Sequence, residues 1–156
     1  MENLVRISDA VSLGFHAMGY LSRFALGEVV PVVQMAEDLD VSPSHLSKVM
    51  QRLNRAGIAS SKRGVGGGFY LDRPLGSVSL LDIYNAIEGP LPASTCLLGH
   101  AQCPVGPCVM GSVLHEVHDR VRAHLATTTL ADLAALPSFR RFGGETPELA
   151  EGAPRS

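Results

Sequence analysis

The sequence predicts a mainly α-helical fold with a small β-hairpin: a winged helix-turn-helix domain followed by a long dimerisation helix. Three stretches carry this reading. Two short helical patterns meet at a Val41-Ser42-Pro43 turn. A glycine-rich run, residues 63–68, separates two short β-prone segments directly after the second of those helices. A long amphipathic segment then follows a cysteine-bearing loop.

Composition frames these patterns. With 46% hydrophobic and 18% charged residues among 156, the chain is globular and long enough for one cored domain with an appendage. A net charge of −2 supports no argument for nucleic acid or membrane from overall charge. The N-terminus lacks a secretory pattern, and no apolar run approaches the roughly 20 residues of a membrane span, so a soluble cytoplasmic protein is expected. In that reducing compartment cysteines serve metal chemistry before structural bridges.

Residues 8–24 read as a helix opened by Ser8 or Asp9, with Leu13, Phe15, Ala17, Met18, Leu21 and Phe24 on a wide apolar face. Gly27 breaks the pattern, and Pro31 opens a second helix through Val32, Met35, Ala36 and Leu39. Ser42 is placed as an N-cap and Pro43 at the first helical position. Leu46, Val49, Met50 and Leu53 then recur at helical spacing, and Gly57 stops the helix in a left-handed conformation. Turning that stripe inward leaves Ser44, His45, Ser47, Lys48, Gln51, Arg52 and Arg55 outward. They are small or polar at the start and cationic behind, as a helix that reads a major groove requires.

The hairpin tip Arg63-Gly64-Val65-Gly66-Gly67-Gly68 lies between strands at residues 58–62 and 69–71, with Lys62 and Arg63 at its base. A phosphate-binding loop is excluded, because no Gly-Lys-Ser/Thr follows and no strand leads into a helix. From residue 42 to residue 73 there are six Lys or Arg against one acid, a local balance of +5 in a chain whose total is −2. Ser79 caps a further helix to Glu88, with Leu80, Ile83, Tyr84 and Ile87 inward and Gly89-Pro90 as its stop. Met110, Val113, Leu114, Val117, Val121 and Leu125 form one stripe of the long helix, which is expected to pack on its twin. Residues 127–136 read as a short capped helix folding back. The organisation is therefore 1–90 winged domain, 91–108 cysteine loop, 109–136 dimerisation and return helices, and 137–156 a disordered tail.

All three cysteines, Cys96, Cys103 and Cys108, fall in the loop with spacing C-x6-C-x4-C, interrupted by Gly99, Pro104, Gly106 and Pro107. Thiolates so placed suit an iron–sulfur cluster, a zinc ion or a disulfide. The odd number argues against a closed disulfide framework, and the missing C-x2-C knuckle makes zinc the weaker metal. A cysteine enzyme using His100, His115 or His118 as base would need a substrate cleft, a nucleophile turn and an acid pair. None is evident, so a non-enzyme is expected.

The VRIS start, VSPSHLSKVMQRLNRAGI, SSKRGVGGGFYL, the three cysteines near position 100 and the later TLADL together resemble the Rrf-two family of bacterial regulators over residues 4–136. The resemblance implies a homodimeric winged-helix transcription factor. It binds double-stranded DNA at a pseudo-palindromic operator, and an iron–sulfur cluster on Cys96, Cys103 and Cys108 gates its affinity. Helix face, charge and resemblance together lead us to expect DNA contact from Ser42, Ser44, His45, Ser47, Lys48, Arg52 and Arg55 of the reader helix and from Lys62, Arg63 and Gly64 of the wing. The base-facing places match Ser42, His45 and Ser47, and Arg63 matches the arginine that reaches the minor groove. The family's common spacing has five residues in each cysteine gap, so the middle thiol is shifted here.

The fourth ligand also departs from the family pattern. In IscR-like members a histidine follows the last cysteine by three residues, where this chain has Gly111. In NsrR-like members a carboxylate from the partner's first helix completes the site, where this chain has Ser12, with Asp9 nearly one turn before it. Three thiolates each holding one iron of a cubane leave the last iron to an oxygen donor, so 4Fe–4S is favoured over 2Fe–2S.

Overall fold

The computed structural model describes residues 7–91 and 110–137. Its elements are α1 (Asp9–Leu21), α2 (Val32–Asp38), α3 (Pro43–Arg55), β1 (Ser60–Lys62), β2 (Gly68–Tyr70), a 3-10 turn (Leu75–Ser77), α4 (Leu80–Glu88), α5 (Gly111–Thr127) and α6 (Leu130–Ala135). Cys96, Cys103, Cys108 and His100 lie outside the described residues, as does the segment read as a disordered tail from residue 138 on.

Local chemistry sets the helix ends. Ser8 accepts from the Val11 backbone N–H at 3.2 Å, as expected of its cap role, but α1 stops at Leu21, and Phe24 packs on the core from the following turn. At the end of α2 the N–H of Asp40 meets the Glu37 carbonyl and that of Val41 meets the Ala36 carbonyl. This doubly bonded stop puts Asp40 in the left-handed region at φ 53. Gly57 closes α3 in the same way, at φ 70. Ser42 stands at the N-cap of α3, yet its side chain does not cap. Its Oγ lies 2.9 Å from Ser44 Oγ instead, a correction to the sequence reading.

α1, α3 and α4 pack around one core. Leu46, Val49, Met50 and Leu53 are buried to 2% exposure or less, beside Ala17, Met18, Ile83 and Tyr84. Gly14 permits the close approach of α1 to α4: a Cβ there would sit 2.3 Å from Ile87 Cδ1. Tyr20 is also fully buried. Its hydroxyl donates to Asp38 at 2.5 Å and so ties α1 to the end of α2. Burial first, and then that hydrogen bond, raises its pKa above the usual phenol value.

The wing is a two-stranded antiparallel hairpin with Ser60 opposite Tyr70, Ser61 opposite Phe69 and Lys62 opposite Gly68. A bridge between Val30 and Phe69 joins β2 to the chain entering α2. The glycines do more than make the tip pliant. Gly64 and Gly66 adopt φ 88 and 72, and a Cβ on Gly68 would lie 2.1 Å from the Val30 carbonyl oxygen.

α6 packs back against the winged domain. The Leu80 N–H bonds the Thr128 carbonyl and the Leu130 N–H bonds the Val78 carbonyl, while Leu130 and Leu133 enter the common core. Reciprocal capping boxes open both α4 (Ser79 with Asp82) and α6 (Thr129 with Asp132). The apolar stripe of α5 divides. Leu125 is in the core and Val121 packs against it, whereas Met110 and Val113 remain 39% and 45% exposed. Part of the stripe assigned to a partner is thus covered within the protomer.

Gly68→Ala should lower stability by about 1–3 kcal/mol, read as a lower urea midpoint, because the Val30 backbone must retreat from the added methyl. The Thr129 N–H, and next its hydroxyl, hold the Asp132 carboxyl below its usual value of 3.8. Its stabilising share is therefore present above that pH and lost as pH falls through the depressed value. The melting-temperature deficit of Asp132→Ala should accordingly be largest at neutral pH and vanish in acid.

Candidate nucleic-acid interface

The first turn of α3 contains no acid, and its last turn carries Arg52 and Arg55, which complement the negative end of the helix. Because the inner stripe is sealed in the core, Ser44, His45, Lys48, Gln51 and Arg55 face solvent, and Ser47 is half-buried. Gln51 Nε2 donates to Ser47 Oγ at 3.4 Å, a weak tie one turn back. These residues form the outer face that the sequence predicts.

Between that face, the wing and the entry to α2 lies a concave groove of 650 Å³. Arg55, Lys62, Arg63 and Gly64 line it together with Gln51 of the predicted outer face, as do Asn54 and Ser61, which the sequence reading did not place in the site. Their signal was available: 51, 54 and 55 share a helix face, and Ser61 is the outward neighbour of Lys62 on β1. No Asp or Glu lines the groove, so its field is cationic. Apolar Val32 and Val33 form its floor beside Phe69. Arg52 and Lys48 are exposed but do not line the groove, and Arg52 Nη1 donates to the backbone carbonyl of Ile87 in α4 at 3.0 Å.

Asp9 and Ser12 do not join this groove. With His16, Leu13, Leu39, Val41 and His45 they line a second concavity of 430 Å³ between α1 and the start of α3. That arrangement puts both oxygen donors beside a residue of the reader helix. The described residues contain no cluster of three or more His, Cys, Asp or Glu able to hold a metal ion. Gly111 is the first residue of α5, and one turn on His115 Nε2 approaches Asp119 Oδ2 at 3.3 Å. His118 turns inward; its Nδ1 lies 3.5 Å from Asp119 Oδ1, and neither ring nitrogen makes a hydrogen bond. No helix among the described residues is long and apolar enough to cross a membrane.

A tri-helical core, a helix-turn-helix whose second helix exposes a polar and cationic face, and a glycine-tipped hairpin beside it define a winged helix-turn-helix protein. The chain belongs to the Rrf2 family, whose model, described as an iron-dependent transcriptional regulator, matches residues 7–136. Among curated relatives, the chain is similar to the HTH-type transcriptional regulator YwgB of Bacillus subtilis, with 35% identity over 102 residues, 64% of this chain and 65% of that protein. It is likewise similar to the HTH-type transcriptional regulator IscR of Enterobacter, with 30% identity over 105 residues, 67% of this chain and 64% of that one. The chain thus spans slightly less than two thirds of these relatives' own length. Among solved structures, CymR, the global cysteine regulator of B. subtilis, superposes with a TM-score of 0.69 at 26% identity, covering 84% of this chain and 97% of that one. These relatives are regulators and not enzymes, in line with the absence of catalytic patterning in the sequence.

Proposed function

We propose that the chain is a homodimeric, DNA-binding transcription regulator whose affinity for a pseudo-palindromic operator is set by an iron–sulfur cluster on Cys96, Cys103 and Cys108. The observation that carries the reading is the acid-free groove joining Gln51 and Arg55, on the outer face of α3, to Lys62, Arg63 and Gly64 of the wing. Ser42, His45 and Ser47 at the start of α3 meet base edges, while Lys48, Arg55, Lys62 and Arg63 meet backbone or minor groove. The exposed edge of α5 at Met110 and Val113 is the remaining apolar face for a twin subunit. Two reader helices must then match half-sites about one DNA turn apart, so a small rotation weakens both contacts at once.

The donor set suits the cofactor. Three soft thiolates stand in one short stretch of sequence, and Asp9, or alternatively Ser12, both lining an open concavity beside α1, would supply the fourth donor, from the partner subunit on the family pattern. Gly111 offers no nitrogen at the start of α5, which favours a 4Fe–4S centre with an oxygen ligand over 2Fe–2S. When bound, such a centre supplies reactivity toward oxygen and nitric oxide. Shifting a dimer from mostly bound to mostly free needs about 3–5 kcal/mol of differential energy, within the range of metal–thiolate binding. The second reading, a thiol- or zinc-dependent regulator without a cluster, is favoured by the likeness to CymR along 97% of its chain.

Protein purified without oxygen should be coloured and contain iron and acid-labile sulfide, and Cys103→Ala should lose both and change operator affinity. Colourless protein free of iron and sulfide that still binds its operator overturns the cluster in favour of the second reading. Arg63→Ala should weaken DNA binding. A fall of about 0.9 in the slope of log K against log salt assigns a phosphate contact, and a lost preference for A·T tracts at unchanged slope assigns the minor groove.

A further inference from the structure

The tip of the wing is built so that one side chain can stand on it. The Gly67 N–H returns to the Gly64 carbonyl at 3.0 Å and closes a four-residue turn. Gly66, third in that turn, lies in the left-handed region at φ 72 while Val65 before it does not, which is the pattern of a type II turn. Gly64 is left-handed as well, at φ 88. Space bars larger residues from the next two positions. A Cβ on Gly67 would meet the Lys62 carbonyl oxygen at 2.5 Å, and one on Gly68 the Val30 carbonyl oxygen at 2.1 Å. Within residues 64–68, position 65 is therefore the place that a side chain can occupy without strain.

That place holds a valine, and nothing in the protomer covers it. Its relative exposure is 105%, against 58% for Val33, the next of the exposed large apolar residues among those described. Gly64 and Gly67 line the groove beside α3 but Val65 does not, so its methyl groups stand beyond the rim of that groove. Behind the tip Lys62 and Arg63 are exposed, and no acid occurs from residue 60 to residue 71. Those cations draw the hairpin toward phosphate-lined surfaces, and the valine goes in first.

The two strands of a hairpin lie about 4.8 Å apart, and the minor groove of B-DNA is about 6 Å wide. A tip reduced to backbone and one short side chain fits that width. The floor it would meet differs between base pairs by a single group: A·T shows acceptors only, and G·C adds the guanine 2-amino donor. Valine has no acceptor to offer that donor. An amino group covered by its methyls loses water and gains no partner.

We propose that Val65 is a specificity-determining residue that enters the minor groove and rejects the guanine 2-amino group, holding the base pair beneath each wing tip to A·T. The inference rests on the DNA-binding reading above and on no cofactor. Its discrimination is negative, since the valine acts by penalising the wrong pair while Lys62 and Arg63 supply the attraction.

The test uses the full-length protein purified without oxygen and a duplex that the wild type recovers from a random-sequence pool. Each A·T pair is replaced in turn by 2,6-diaminopurine·T, which adds the amino group in the minor groove and leaves the major-groove edge of adenine unchanged. Binding is followed by fluorescence anisotropy at several salt concentrations. For the wild type, the added group should weaken binding by about fivefold or more at a pair within each half-site. G·C at that pair should carry the same penalty, and inosine·C, which lacks the amino group, should bind like A·T. Val65→Ser removes both methyl groups and offers a hydroxyl that accepts from the amino group. In this variant the penalty should fall below about twofold, with the salt slope and urea midpoint of the wild type, because the residue carries no charge and packs on nothing. The proposal is overturned if no pair shows an amino-dependent penalty with the wild type, or if Val65→Ser keeps the wild-type penalty. Failure of the wild type to bind any duplex overturns the DNA-binding reading itself and is seen before any base is modified.

Discussion

The inner stripe of α3 is the constraint from which the rest of the structure follows. Burying a Leu, Val or Met side chain fully contributes about 1.5–3 kcal/mol, and α3 commits four of them, Leu46, Val49, Met50 and Leu53. A surface pair on a helix contributes only about 0.2–0.5 kcal/mol. The roll of α3 is therefore decided by its inner face, and its outer residues are left to be chosen by what they meet. Gly14 lets α1 lie close against this core, its missing Cβ leaving space for Ile87 of α4 beside Ile83 and Val49.

Much of this was legible because it is written locally. Pro43, Gly57, the Ser79–Asp82 pair and the Gly-rich tip announce helix starts, stops and the hairpin within a few residues of where they act. What escaped depends on partners far along the chain. Tyr20 finds Asp38 and Arg52 finds Ile87 only after the helices have packed, 18 and 35 residues away in sequence. Asp40 at φ 53 was invisible for a different reason: the left-handed stop usually advertises itself by glycine, and an aspartate there reads simply as part of an acidic turn. The α5 stripe was legible as apolar, but periodicity cannot say which body covers it, and the protomer covers the Leu125 end itself.

The candidate site divides along the same line. The reader face and the wing cations could be read from spacing and charge, since one helix and one hairpin carry them. The meeting of Arg55 and Gln51 with the wing cations, Asn54 and Ser61 in a single groove goes with the Val30–Phe69 bridge, which sets the wing against the entry to α2. Asp9 and Ser12 were singled out by family resemblance alone. Finding them in one concavity with His45 adds a physical connection between α1 and the reader helix that no motif contains.

The bridge between Ser79 and Thr129 gives α5 an unequal pair of ends. Its C-terminal end is stitched to the strand-like lead of α4 and anchored by Leu125, while its N-terminal end issues from the cysteine segment. At 1.5 Å per residue the helix is roughly 25 Å long, so a pivot of about 5 degrees at the stitched end carries the other end through ~2 Å. Geometrically, α5 would act as a lever about the return turn only if the buried Leu114 near its tip gave way as well, a slight swing then becoming a displacement on the scale of an atomic diameter.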